Sequence, residues 1–330
     1  MRKALITGCA GMIGANLSRH LLDRGWQVVG VDDLSGGYED FLPRHPHFRF
    51  HAFSLEEAGR LRKLFDEARP ECVYHLAAYA AEGLSPFIRG FNYRNNVVTS
   101  AHVINECVRH NAKLVFTSSM AVYGEPPPPF VETMTPAPVD PYGIAKYAVE
   151  MDIRQAAAQF GLRYNILRPH NVLGLYQNIW DRYRNVVGIF LHSTLKGEPM
   201  LIYGDGEQTR AFTDVRYCLE PMARLADGHD HEVYNIGADR HLTVKAIAET
   251  VRQVATEHGL KAEVRHVEAR HEVKHAWCDH TKVIRELGFR DETRAEALVA
   301  EMFRWARTQP DRVLKKMDYE IEKGMYSFWK

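Results

Sequence analysis

The sequence predicts an α/β fold: a doubly wound parallel sheet followed by a smaller α/β domain. Three observations predict it. A glycine-punctuated turn, Gly8-Cys9-Ala10-Gly11-Met12-Ile13-Gly14, joins a short apolar run at 4–6 to a helical pattern over 15–22. Apolar runs and helical patterns then alternate through the first half, as in a parallel sheet covered on both faces. The 330 residues are enough for two domains and a full core.

Each element can be justified in turn. Gly8 permits the tight turn, Gly11 leaves the backbone open to a pyrophosphate, and Gly14 lets the helix lie close on the strand. Met12 and Ile13 complete the turn before that helix, whose N–H groups and positive end suit phosphates. A second apolar run, 28–31, ends at Asp32, eighteen residues after Gly14. Strand, glycine turn, helix, strand and acid make the mononucleotide-binding half of a Rossmann fold. Asp32 can accept from ribose hydroxyls and repels a 2′-phosphate, which selects NAD over NADP. Asp33, Ser35 and Gly36 form a polar loop beside the adenosine ribose. Residues 48–53 alternate like a third strand, and 55–68 have helical spacing with Leu61, Leu64 and Phe65 on one face. The run 72–78 reads as a buried parallel strand, and its last residues, Leu76, Ala77 and Ala78, leave room for a cofactor. An amphipathic helix at 95–110 and a strand at 113–119 follow.

Residues 142–160 are one long helical pattern and 164–167 a strand. The boundary is placed after residue 172, giving an NAD-binding domain 1–172 and a substrate domain 173–330 whose segments can interleave. The second part holds a turn, Tyr203-Gly204-Asp205-Gly206, and helices at 244–258 and 294–308. The last twenty residues are rich in charge and aromatics, which suits either a surface tail or a dimer-contact strand.

Composition excludes several classes. Forty-two basic and 42 acidic residues cancel, so no bulk charge points to nucleic acid or a membrane surface. No apolar run reaches membrane-spanning length. Five scattered cysteines without a C-x-x-C pair fit reduced thiols, and no signal peptide precedes the first strand, so a cytoplasmic protein is expected. His271 and His275 have helical i, i+4 spacing, with His280 close by. No acid and histidine set of metal-site spacing accompanies them, and no metal is expected.

Chemistry concentrates in Ser119, Tyr142 and Lys146. Ser119 ends a strand at the edge where a cofactor should lie. Tyr142 and Lys146, four apart on a helix, share a face. A phenol with pKa near 10 is a poor base at neutral pH, and a nearby cation favours its phenolate. So tuned, Tyr142 can take or return a proton on a substrate hydroxyl, and Lys146 can also hold a ribose.

With these residues in place the chain resembles the extended short-chain dehydrogenase/reductases, the family that includes UDP-galactose 4-epimerase and other nucleotide-sugar epimerases and dehydratases. The resemblance runs from Thr7–Gly14 through Asp32-Asp33, His75–Ala78, Asn95-Asn96, Thr117–Gly124, Pro141–Lys146 and Leu167–Val172 to Tyr203–Arg210. It implies a tightly held NAD and a nucleotide-sugar substrate, a UDP-sugar first. By resemblance Ala77 and Asn96 line the cofactor, and Asn171, Asn185 and Arg210 contact the sugar diphosphate. Ala276 is implied to face the sugar's C2 substituent, and the family is often dimeric through two helices, here 95–110 and 142–160.

The sequence also departs from the family. Phe53-Ser54 stands where an acid usually meets adenine. Near the C-terminus Ala269 takes the slot of an arginine that holds pyrophosphate, with Arg270 beside it. Members that dehydrate carry Asp-Glu just after the serine, where this chain has Met120 and Ala121 beside the sugar. What remains suffices for reversible oxidation at C4, so a 4-epimerase is expected. The alternative is an atypical dehydratase, such as one forming a 5,6-unsaturated sugar, drawing on Glu82 or Cys9 in loops near the sheet's edge.

Overall fold

The computed structural model describes residues 1–313 and 316–329. Strands β1 (Lys3–Thr7), β2 (Gln27–Asp32), β3 (Phe48–Ala52), β4 (Cys72–His75), β5 (Lys113–Thr117) and β6 (Tyr164–Pro169) come first. Four short strands follow: β7 (Val172–Leu173), β8 (Met200–Tyr203), β9 (Thr209–Ala211) and β10 (Thr213–Asp214); then comes β11 (Glu232–Ile236). β1 to β6 and β11 form one seven-stranded parallel sheet in the order β11-β6-β5-β4-β1-β2-β3.

Ten helices are described: α1 (Met12–Asp23), α2 (Ala58–Ala68), α3 (Arg89–Tyr93), α4 (Thr99–His110), α5 (Pro141–Phe160), α6 (Val186–Leu195), α7 (Val215–Arg224), α8 (Val244–Glu257), α9 (Thr281–Leu287) and α10 (Ala295–Arg307). Strand pleating divides the core into two faces. Ala4, Ile6, Tyr74 and Val115 pack with residues of α1 and α7. Their neighbours Leu5, Val73, Leu114 and Phe116 pack with residues of α2, α4 and α5. A third core joins α6, α8 and α10 in the second lobe. The lobes interleave across residue 172, because β11 pairs with β6 and α7 packs on α1.

Element ends differ from the sequence pattern for local reasons. The helix expected at 55–68 starts at Ala58, since Ser54 N donates to Glu57 Oε1, Glu57 N donates to the Ser54 carbonyl and Glu56 N donates to Ser54 Oγ, which turns the chain just before it. The strand expected at 72–78 stops at His75, where the Thr7 hydroxyl accepts from the N–H of both Leu76 and Ala77 and draws the chain off the ladder. The helix expected at 95–110 is interrupted by a π-turn over 94–98, which inserts a residue and turns Asn96 inward. α5 is specified cleanly: Asp140 caps it by accepting from Gly143 N at 2.9 Å, Pro141 occupies its first turn, and Gly161 ends it at φ +73°.

Candidate active site

The C-terminal ends of the sheet strands open onto a cavity of about 390 Å³. The glycine turn forms its floor. Gly8 has φ +70°, and a Cβ there would lie 2.7 Å from Ala77 N. A Cβ on Gly14 would overlap the Gly8 carbonyl oxygen and come 2.7 Å from Cys9 Cα. Gly11 faces the cavity together with Met12 and Ile13. This is a cradle that side chains would fill, which suits a dinucleotide's pyrophosphate. Asp32 lines the cavity while accepting from Ala10 N at 3.0 Å and Leu34 N at 2.8 Å. Burial pushes its carboxyl up, and these two donors pull it back. Asp33, Ser35, Gly36, Leu76, Ala77 and Ala78 also line the wall, as do Phe53 and Ser54 at the end of β3.

Asn96, expected on this wall, is not there. Its amide accepts from Tyr79 N at 2.8 Å and donates to Asn92 and the Tyr79 carbonyl, beneath the loop after β4. Asn95 and Thr99, on either side of it, line the cavity.

Ser119, Tyr142 and Lys146 converge on the same cavity. Ser119 follows β5, and its Oγ accepts from Ala121 N at 3.1 Å. Tyr142 sits in the first turn of α5, its N–H donating to Ser85 Oγ at 3.1 Å. One turn on, Lys146 Nζ donates to the Thr117 carbonyl at 2.8 Å and stands 5.9 Å from the Tyr142 ring centre. Burial lowers the lysine to about 7, with Glu150 opposing. The phenol goes the other way in the protein alone: burial and the Glu82 carboxylate push Tyr142 up, while the Ser119 hydroxyl pulls it down. The lysine's charge therefore does not by itself lower the phenol.

A side chamber of about 230 Å³ shares Glu82, Gly83, Arg210, Arg270 and Glu272 with this cavity. Met120, Ala121, Phe130, Ala276 and Tyr326 complete much of its wall. Arg210 and Arg270 both donate to Glu272 Oε2, at 3.1 and 3.0 Å. Against burial, the two arginines hold Glu272 below the usual carboxylate range. Glu82 is open to the chamber, yet its depth and the nearby Asp140 carboxylate push its carboxyl up, with Arg210 and Arg270 opposing. Asn171 and Asn185 line the main cavity. Asn171 sits at φ +26° with a buried, unpartnered Nδ2, while Asn185 caps α6 by accepting from Val187 N at 3.0 Å.

The sequence did not reveal Arg184 or Asn178, which reach the cofactor loop from the segment before α6. Asn178 Nδ2 donates to the Gly36 carbonyl at 3.0 Å. The Arg184 guanidinium packs so closely on Gly36 that a Cβ there would lie 2.9 Å from Cζ. It stacks on Tyr79 and pairs with Asp181 at 3.1 Å. Only the glycines of 36–37 hinted at such an approach.

Cys9 is not at the reaction centre: its side chain is fully buried, and a Cβ on Gly30 would lie 2.6 Å from Sγ. Burial and Asp32 push its thiol far up. His271 and His275 share no helix; His275 meets Thr209 Oγ1 at 2.9 Å, and His280 meets Asp239 at 3.0 Å. Among the described residues no three His, Cys, Asp or Glu side chains gather as a metal site. No helix among them is long and apolar enough to cross a membrane.

Residues 4–237 match the NAD dependent epimerase/dehydratase family. The chain is 30% identical over 278 residues to a UDP-glucose 4-epimerase of Corynebacterium glutamicum, covering 79% of this chain and 83% of that one. It is 27% identical over 264 residues to a UDP-N-acetyl-alpha-D-glucosaminuronate decarboxylase of Bacillus cytotoxicus, covering 77% and 80%. The fold superposes on a Thermus thermophilus UDP-glucose 4-epimerase in complex with NAD with a TM-score of 0.86 at 27% identity, covering 93% and 99%.

Proposed function

The chain belongs to the NAD dependent epimerase/dehydratase family, and from that premise we propose that it is a UDP-sugar 4-epimerase working through a transient 4-keto sugar. One observation carries the choice: Ser119, Tyr142 and Lys146 meet on one cavity, while Met120 and Ala121, beside them, can neither donate nor accept protons. The glycine cradle and Asp32 would hold NAD, which when bound supplies a reversible hydride acceptor for C4 and, while oxidised, a positive charge beside the phenol.

The protein's own groups manage the proton. Tyr142 Oη takes the proton of the sugar's O4 hydroxyl and later returns it. The Ser119 hydroxyl favours the phenolate that this requires. Lys146, fixed on the Thr117 carbonyl, holds its amine beside the same ring, and burial lowers it to about 7 so that it exchanges a proton near neutral pH. Arg210 and Arg270, oriented by Glu272, offer guanidinium donors to the diphosphate. Homodimer assembly through α4 and α5 belongs to the same reading, since Ile144 and Met151 of α5 are exposed; a monomer by light scattering contradicts it.

Glu82 favours a second reading, an atypical dehydratase, because a carboxyl pushed up to about 7 can give and take a proton near neutral pH in an elimination. The test is to incubate the protein with UDP-glucose, UDP-GlcNAc and UDP-glucuronate and record product masses. An isomer of unchanged mass supports the epimerase. A product lighter by one water supports the dehydratase, and loss of carbon dioxide overturns both. Tyr142→Phe should lower turnover by about 10²-fold or more, whichever reaction is found.

A further inference from the structure

We propose that the C-terminal segment 317–329 is a wall of the sugar chamber and that its Tyr326 limits how large a sugar the chamber accepts. This rests on the nucleotide-sugar reading above and adds a specificity-determining residue from a part of the chain beyond the family match at 4–237.

The segment does not trail into solvent. Its start is fixed to the first lobe: Glu320 accepts from Gly90 N at 2.6 Å and Phe91 N at 2.8 Å, and its own N–H donates to the Phe87 carbonyl at 2.8 Å. Its end is fixed to the second lobe: Ser327 donates to Glu268 from N at 2.6 Å and from Oγ at 2.9 Å, and Arg182 donates to the Phe328 carbonyl. Met325 and Trp329 are buried. The segment therefore bridges the two lobes.

Tyr326 sits between these anchors and lines the chamber. Its ring stacks on Phe328 at 5.2 Å and meets Phe87 and Trp329 edge-on at 5.9 and 5.4 Å. Its hydroxyl accepts from His271 N at 3.0 Å. Such a ring cannot swing aside without breaking several contacts, so it acts as a fixed surface. The same segment also orients Arg270. Phe328 stacks on Tyr203 at 4.5 Å, and the Arg270 guanidinium lies 4.5 Å from the centre of that ring. Glu268 and His271, both bonded to the segment, flank Arg270 in sequence. A wall so held discriminates by volume, and one methylene group too many or too few changes binding by about 10-fold or more.

The test uses the NAD-loaded full chain and measures binding of UDP, UDP-xylose, UDP-glucose and UDP-GlcNAc by calorimetry. The xylose compound lacks the C6 group and the GlcNAc compound is enlarged at C2. Tyr326→Trp should weaken the larger sugars against UDP-xylose by about 10-fold, and Tyr326→Ala should shift the ratio the opposite way. Bound NAD should stay at the wild-type level in both. If all three sugars change by one common factor in both variants, Tyr326 is structural and the inference falls. Should Tyr326→Ala not fold, the Tyr326→Trp ratio decides alone. If the wild type binds no UDP-sugar more tightly than UDP, the nucleotide-sugar reading itself has failed, and this inference with it.

Discussion

Arg168 is the residue on which the wall behind the active site depends. It is almost wholly buried, and its fork grips Glu150, also buried, with Nε to Oε1 at 2.9 Å and Nη2 to Oε2 at 2.6 Å. Its Nη1 donates to Tyr123 Oη at 2.9 Å. Glu150 in turn accepts from Ser118, the neighbour of Ser119, at 2.6 Å and lies one helical turn beyond Lys146. Replacing the arginine by methionine keeps much of the volume and removes the charge. Breaking a buried pair from one side costs about 3–5 kcal/mol, because a charge stays buried without its partner. Arg154, at 3.2 Å from Oε2 and partly exposed, remains to compensate, which places the cost near the low end, about 3 kcal/mol. The double variant Arg168→Met/Glu150→Leu removes both charges and should be more stable than the single one. Urea unfolding followed by circular dichroism, with midpoints compared at equal slope, measures both. A single-variant cost below about 1 kcal/mol, or a double variant weaker than the single, would refute the argument.

Three other perturbations have defined outcomes. Gly14→Ala forces a Cβ against backbone atoms of Gly8 and Cys9, so nucleotide released on denaturing the purified variant should fall about tenfold; full occupancy in a folded variant contradicts the cradle. Asp32→Ala removes the charge that repels a 2′-phosphate and should move the NADP-to-NAD affinity ratio about tenfold toward NADP, read by calorimetric titration of nucleotide-free protein. His75, fully buried between Thr7 Oγ1 and Ser100 Oγ, is pushed down to about 3 by burial and Lys146. The unfolded chain binds that proton below about pH 6.5 and the native chain does not, so stability is lost as pH falls from there and levels off below about 3. Between about pH 7 and pH 5 this amounts to about 2 kcal/mol, and His75→Gln should lose that part of the pH dependence; an unchanged slope contradicts it.

What was legible in the sequence had a short period or a fixed spacing. Gly8 and Gly14 are diagnostic because each is demanded by backbone within the same turn or by the adjacent loop after β4, while Gly11 is open on the cavity side, where a bound phosphate would need the room. Tyr142 and Lys146 are separated by one helical turn, so sequence distance fixes spatial distance. Asn96 shows the limit of that logic. A single inserted residue in the π-turn rotates every side chain before α4, and no hydrophobic period records it. Arg184, Glu272 and Tyr326 were illegible for another reason: they meet the site across lobes, through contacts between distant segments. The aromatic tail gave no period because its rings pack on the ends of separate elements, Phe87 and Tyr203 among them, and on one another.

On the proposed reading the sheet's edge oxidises the sugar and the side chamber decides the fate of the ketone. Three carboxylates line that chamber, Glu82, Asp140 and Glu272. Glu272 is held between Arg210 and Arg270, and a carboxylate so paired is a weak base. Asp140 is committed to capping α5 and to the Ser85 hydroxyl. Among the described residues Glu82 alone of the three carries no such bond; burial pushes up both its carboxyl and that of Asp140, but Glu82 is the more open of the two to the chamber. An elimination that draws on these carboxylates would pass its proton through Glu82, whereas the proton transfer of the proposed epimerase rests on Tyr142. Glu82→Gln separates the two: a dehydratase should lose about 10²-fold or more of its turnover, while an epimerase should stay within about tenfold. In the epimerase the loss of that charge also relieves the phenol, so the acid limb of the kcat profile should move to lower pH. A Glu82→Gln variant that keeps forming a product one water lighter would show that elimination uses another group, and the chamber's carboxylates would then not choose the reaction.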